Sequence, residues 1–157
     1  MKRSFLAIAL ALSVPAFAQT PAASPGAMDP SQFKPLPDRQ DVVSWKLLAQ
    51  VELVKMKDKF VAQFSSDVAA LDKKEVKVQG FMMPLEMGDK QSHFILAASP
   101  VDCAFCMPGG PESLVEVKTK QPLAYGMAPI VLSGKLAVLK DDPTGVFYRL
   151  TDAVPVK

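Results

Sequence analysis

Histidine is all but missing from this chain: among 157 residues, only His93 carries an imidazole. A Ser-His-Asp or Cys-His hydrolase would have to be assembled around that one residue, and no G-x-S-x-G nucleophile elbow accompanies it. Also absent are a glycine-rich phosphate loop, an H-E-x-x-H zinc signature and the C-x-x-C-H of haem attachment. Aspartates and glutamates are scattered, and nothing in their spacing singles out a catalytic pair. Together these absences point away from an enzyme.

A surplus of one charge is lacking too. The full chain carries 18 Lys and Arg against 16 Asp and Glu, and two of the basic residues, Lys2 and Arg3, sit in what reads as an export leader. Met1-Lys2-Arg3 is its positive start, Ser4 to Val14 its apolar stretch, and Ala16-Phe17-Ala18 the small-x-small cleavage site. The apolar run is well short of the ~20 residues a bilayer span needs, and Pro15 interrupts its end. No cysteine follows the cleavage site to take a lipid. Residues 1–18 are therefore read as a cleavable signal that sends the protein to the periplasm, and the chain from Gln19 onward balances 16 basic against 16 acidic residues. Interspersed, balanced charge gives no bulk footprint for nucleic acid or an anionic membrane. No later stretch is long and apolar enough for a membrane span.

Large apolar residues are scarce from Gln19 to Gln40, where Pro21, Pro25, Pro30, Pro35 and Pro37 stand among Ala, Ser and Gly. Such a segment buries too little surface to offset its ordering entropy and is expected to be an extended tether over residues 19–40. A single domain is expected over 41–157. Asp41 to Gln50 starts with a possible cap in Asp41 and carries Val42, Trp45, Leu47 and Leu48 at roughly helical spacing, so one short helix is expected, with Trp45 as its anchor on the core. Val51 to Phe64 fits either two strands around Lys57-Asp58-Lys59 or a charged amphipathic helix. A second short helix is expected around Asp67 to Leu71, capped by Ser65 or Ser66.

After Asp72 the pattern turns β. Val76, Val78 and Met82 alternate, His93 to Ala98 is a short apolar run, and Leu114 to Lys118 alternates again. Ile130 to Lys140 and Val146 to Leu150 form a pair joined by Asp141-Asp142-Pro143-Thr144-Gly145. Gly80 and Gly134, inside two of these strands, mark bulges or the bends of a small closed sheet. The fold class expected is mainly β: a small five-stranded OB-like, partly open barrel with one or two short N-terminal helices. Its core is drawn from Val76, Val78, Phe94, Leu96, Val115, Val117, Ile130, Leu132, Leu136, Val138, Phe147, Tyr148 and Leu150.

The chain's two cysteines lie together in Cys103-Ala104-Phe105-Cys106-Met107-Pro108-Gly109-Gly110-Pro111. A thioredoxin-like redox pair needs a helix starting at the first thiol, and Pro108, Gly109, Gly110 and Pro111 forbid a regular helix there. Two readings remain. Reduced Cys103 and Cys106 at i, i+3 can converge on one soft or borderline ion, with Met107 as a third ligand for Cu(I), or with His93, a carboxylate or a second molecule for Zn(II). Met83 and Met87 are further thioethers near that loop. Alternatively, a Cys103–Cys106 disulfide staples the loop of a structural or adaptor domain, as oxidising compartments favour.

Several motifs resemble a known family. Gly80-Phe81-Met82-Met83-Pro84-Leu85-Glu86, His93-Phe94-Ile95-Leu96, the cysteine loop with its prolines, Leu114-Val115-Glu116-Val117 and Gly134-Lys135-Leu136 are similar to the bacterial exported proteins of family DUF3299. Upstream, Ser44-Trp45-Lys46-Leu47-Leu48 resembles the family's Trp-x-x-Leu opening. Where the family pattern has Cys-x-His before a proline run, this chain has Cys103-x-x-Cys106 before Met107-Pro108, which implies a divergent branch. The resemblance lends no activity; it implies partners among envelope transport components and a metal-linked role.

Overall fold

Each run of period-two patterning beyond Asp72 becomes a strand. The computed structural model describes residues 36–100 and 109–156. Its elements are α1 (Trp45–Leu48), β1 (Val51–Met56), β2 (Lys59–Phe64), α2 (Ser66–Ala69), β3 (Glu75–Pro84), β4 (Lys90–Ala97), a 3-10 turn at Pro111–Ser113, β5 (Leu114–Ala124), β6 (Ile130–Val138) and β7 (Tyr148–Pro155). The expected leader, nearly all of the tether, and Cys103, Cys106 and Met107 fall outside the described residues. No described helix is long and apolar enough to cross a membrane.

β3, β4, β5, β7 and β6 form a closed barrel in that order. Every pairing is antiparallel except β5 with β7. Counted in chain order, the barrel strands run 1-2-3-5-4, with the third and fifth parallel, the circuit of an OB-like barrel. The expected open side is closed by β6 lying along β3, from Glu75 opposite Lys135 to Gly80 opposite Ile130. Closure depends on β3 serving two neighbours, β6 as far as Gly80 and β4 from Phe81 onward. A Cβ on Gly80 would lie 2.6 Å from the Ala97 carbonyl oxygen, and one on Gly134 would lie 2.7 Å from that of Thr151. The two interior glycines thus sit where backbones approach too closely for a side chain. Gly134 also falls within a register shift between β6 and β7.

The barrel is filled by Val78, Phe94, Leu96, Val115, Val117, Leu132, Leu136, Tyr148 and Leu150, with Leu48 of α1 and Val68 of α2 packed among them. Val76, Ile130 and Val138 pack partly buried against this cluster, and Phe147 belongs to it. Burying one such side chain contributes about 1.5–3 kcal/mol. The Tyr148 hydroxyl donates to the Leu48 carbonyl at 2.5 Å, tying α1 to β7 through the core.

The helices are shorter than their sequence patterns. α1 begins at Trp45 because Ser44 caps it, accepting from Leu47 N–H. Asp41 is taken up elsewhere, by ion pairs to Arg39 and Lys77, and Val43 N–H donates to the Lys77 carbonyl. The Trp45 indole donates to the Gln79 carbonyl at 2.9 Å. Residues 37–45 therefore cover the stretch of β3 that β4 does not reach. Ser65 caps α2 by accepting from Val68 N–H. Val51 to Phe64 is an antiparallel hairpin with Met56 opposite Lys59, turning on Lys57-Asp58. β7 starts at Tyr148 rather than Val146 and continues to Pro155.

Candidate functional site

Alternation along β4 sends Phe94 and Leu96 into the barrel and His93, Ile95 and Ala97 to its outer face. On β5, Val115 and Val117 point inward while Leu114, Glu116 and Lys118 share that outer face. This outer surface of the second and third barrel strands is where OB-like barrels commonly take ligands. Here it has two halves. Toward the end from which the cysteine loop springs, Ile95, Ala97 and Leu114 form a separate apolar cluster with Met83 packed against it. Next to it lies a polar chain across three adjacent strands.

Glu116 is the centre of that chain and is only 8% exposed. His93 Nε2 donates to its Oε1 at 2.8 Å, and Arg149 Nε donates to its Oε2 at 2.5 Å. Arg149 Nη2 in turn donates to Asp142 Oδ2 at 3.1 Å, and Lys118 Nζ stands 3.9 Å from Glu116. Burial by itself pushes the Glu116 carboxyl up, but the hydrogen bonds from Arg149 and His93 and the charges of Arg149 and Lys118 outweigh it, leaving the carboxyl below its ordinary range. Asp142 is lowered by the Thr144 hydroxyl and backbone N–H, with Arg149 adding to them. Arg149 is raised by its bond to Glu116. The arrangement holds a carboxylate ionised between two donors, and it positions His93 through its ring.

The backbone of His93 is fixed as well. Glu86, in the β3–β4 turn, accepts from the N–H groups of Ser92 and His93 and from the Ser92 hydroxyl, which lowers its pKa. The fully buried Gln91 side chain binds back to the Glu86 backbone and to the Gly88 carbonyl. His93 is thus held at both backbone and ring, while its side chain stays 39% exposed.

Of the residues singled out in the sequence as metal ligands, only His93 is described. Cys103, Cys106 and Met107 lie outside the described residues, but the ends of their loop are visible. Ala97 opposite Leu114 begins the β4–β5 ladder, and Ala98 N–H donates to the Ser113 carbonyl at 3.0 Å just beyond it. On the return side Gly109 takes a left-handed φ of 106°, and Ser113 N–H closes on the Gly110 carbonyl at 2.9 Å. Ala97 lies four positions beyond His93, about 13 Å along the strand. Met83 is half-buried in the outer apolar cluster, and Met87 is fully exposed on the β3–β4 turn. Among the described residues no group of three or more His, Cys, Asp or Glu could hold a metal ion.

Glu116, Arg149 and Asp142 escaped the sequence reading. Glu116 and Arg149 are 33 residues apart and meet only through the parallel β5–β7 pairing. The one available signal was a glutamate among valines in a strand.

Residues 29–151 match the family described as "Protein of unknown function (DUF3299)". Among solved structures, the chain is similar to the crystal structure of a DUF3299 family protein from Pseudomonas aeruginosa PAO1, at 24% identity and a TM-score of 0.46, covering 61% of this chain and 68% of that one. No curated protein matches the chain. With most of the barrel and both of its helices inside the matched region, this chain belongs to the DUF3299 family.

Proposed function

We propose that the protein is an exported, non-enzymatic accessory domain of the periplasm that binds one soft or borderline ion, Cu(I) or Zn(II), through Cys103 and Cys106. The observation that carries this reading is the mounting of the loop. Both cysteines lie in an excursion whose two ends are clamped at the end of the β4–β5 ladder, by the Ala98–Ser113 hydrogen bond and by the glycine-dependent turn at Gly109-Gly110. Fixed ends reduce the loop entropy lost when two thiolates converge on an ion. Thiolates and the thioether of Met107 suit Cu(I). A zinc site drawing on His93 would use Nδ1, because Nε2 is bonded to Glu116, whereas a copper site can be completed within the loop itself. Export rests on residues 1–18, and envelope transport components are the proposed partners.

Metal uptake by the reduced protein, measured by chelator competition, tests this. One equivalent of Cu(I) is expected to bind far more tightly than to the Cys103→Ser/Cys106→Ser variant, and His93→Ala is expected to leave copper affinity unchanged. Met83→Leu with Met87→Leu is expected to leave folding intact, and any loss of affinity would add them to the ligand set. If neither ion binds the parent more tightly than the double serine variant, the metal reading fails. The loop is then that of an adaptor domain stapled by a Cys103–Cys106 disulfide, a small ring adding on the order of 2 kcal/mol.

A further inference from the structure

Upstream of α1 the chain doubles back over β3. It runs without regular structure from Leu36 to Arg39, turns at Gln40-Asp41 and returns to the strand at Val43. The two limbs are held differently. The returning limb is built in: Val43 N–H donates to the Lys77 carbonyl, the Trp45 indole donates to the Gln79 carbonyl, and Val43, Trp45 and Leu47 pack against the core. The leading limb, residues 37–41, is bonded to β3 through two side chains. Gln79 Nε2 donates to the Pro37 carbonyl at 2.9 Å, and Lys77 Nζ donates to Asp41 Oδ2 at 2.9 Å, with Arg39 on the other oxygen of the same carboxylate. Gln79 is only 8% exposed, yet its Oε1 has no hydrogen-bond partner among the described residues. Pro37 accounts for this. A primary amide offers a donor and an acceptor side by side, and a residue in an extended segment presents its C=O and N–H on the same side of the chain. Against an ordinary residue Gln79 would make both bonds. Against Pro37, which has no N–H, it makes one.

We infer that Gln79 and Lys77 form a docking site for an extended, acidic polypeptide segment of a partner, and that residues 37–41 are its built-in, displaceable cover. The cover itself specifies the chemistry of the occupant. A backbone carbonyl meets Gln79 Nε2, and a carboxylate four positions farther on meets Lys77. A partner segment with any residue but proline opposite Gln79 adds an N–H for Oε1, so it makes every contact the cover makes and one more. A buried acceptor left without its bond is costly, which favours that exchange. The turn at Gln40-Asp41 lets the leading limb lift while the returning limb keeps its place in the core, and the Lys77–Asp41 pair that must break is exposed, at 39% and 45%. Because the cover is part of the same chain, it competes at high effective concentration, and only a segment that binds better opens the site. The inference is independent of the cysteine loop.

The test is an NMR titration of the isotope-labelled chain from Gln19 onward, which carries every described element, with a synthetic peptide copying residues 36–42 but carrying Pro37→Ala. Shifts are expected at Lys77 and at the backbone and side-chain amides of Gln79. The same peptide with its proline retained should bind about threefold to tenfold more weakly, the worth of one hydrogen bond. Asp41→Lys in the chain sets two cations against each other and loosens the cover, so it should tighten peptide binding about threefold or more. Gln79→Leu should remove the difference between the two peptides. No shift at Lys77 and Gln79, equal affinity for the alanine and proline peptides, or a difference that survives Gln79→Leu overturns the inference. The first two outcomes need no variant of the chain, so a misfolded variant cannot mask them. Shifts at these residues that grow with protein concentration in the absence of peptide also overturn it, and assign the site to residues 37–41 of a second copy of the chain.

Discussion

Glu116 shows how much one side chain can decide. It is almost fully buried on an outer barrel face, which is unfavourable for a carboxylate unless its oxygens are occupied, and His93 and Arg149 occupy them. Glu116→Gln keeps the shape but removes the charge opposite Arg149. It is expected to cost about 1–3 kcal/mol in urea denaturation. The same substitution should alter the acid limb. Since the folded-state pKa of Glu116 lies below its ordinary 4.5, the stability it contributes is complete above that value and is lost as pH falls through the folded value. Asp142 and Glu86 are lowered in the same sense. The parent should therefore lose stability below about pH 4.5 more steeply than Glu116→Gln does; parallel acid limbs would mean that the carboxylate carries no such linkage. Gly80 sets another limit at this scale. A Cβ there meets the Ala97 carbonyl oxygen and the fully buried Leu96 side chain, neither of which has room to give, so Gly80→Ala is expected to cost about 1–3 kcal/mol. An alanine variant of unchanged stability would show that the strands can separate at this point.

At the scale of elements, Trp45 joins a segment that lacks strand pairing to the barrel. Its indole donates to the Gln79 carbonyl on the stretch of β3 that β4 leaves bare. Trp45→Phe keeps the ring contact but loses the donor, with an expected cost of about 1 kcal/mol in the same denaturation. The barrel strands were legible because each has one face in the core, which writes alternation into the sequence at Val76 and Val78, at Val115 and Val117, and again along β6. The interior glycines were legible for the same reason, as breaks in otherwise regular strands. The hairpin was ambiguous because its tip is apolar on both faces, which erases the period, and its turn is Lys57-Asp58 without glycine. Asp41 looked like a helix cap because spacing alone cannot show that Lys77, 36 residues away, competes for it. The polar chain was illegible on similar grounds, since a parallel pairing between β5 and β7 leaves no local mark.

Over the whole molecule, stability is unevenly distributed, and the topology says where. The closed barrel leaves none of its five strands as a free edge, and β4, β5 and β7 are each paired on both sides around the fully buried Phe94, Val117 and Leu150. Opening any of them breaks two ladders and exposes the core together, so their amides should exchange only through global unfolding. β1 is different. It pairs with β2 alone, its side chains beyond Val51 are exposed, and the hairpin is hydrogen-bonded to the barrel side chiefly through Ala62 and Lys140. Opening it costs one ladder of six residue pairs and little apolar burial. Native-state hydrogen exchange read by mass spectrometry should show peptides over residues 51–60 exchanging with a protection free energy several kcal/mol below that of peptides over β4 and β5. Lys57 holds a left-handed φ of 53°, so Lys57→Gly should raise protection in the hairpin while leaving the barrel peptides unchanged. Equal protection across hairpin and barrel would mean that the two unfold as one unit.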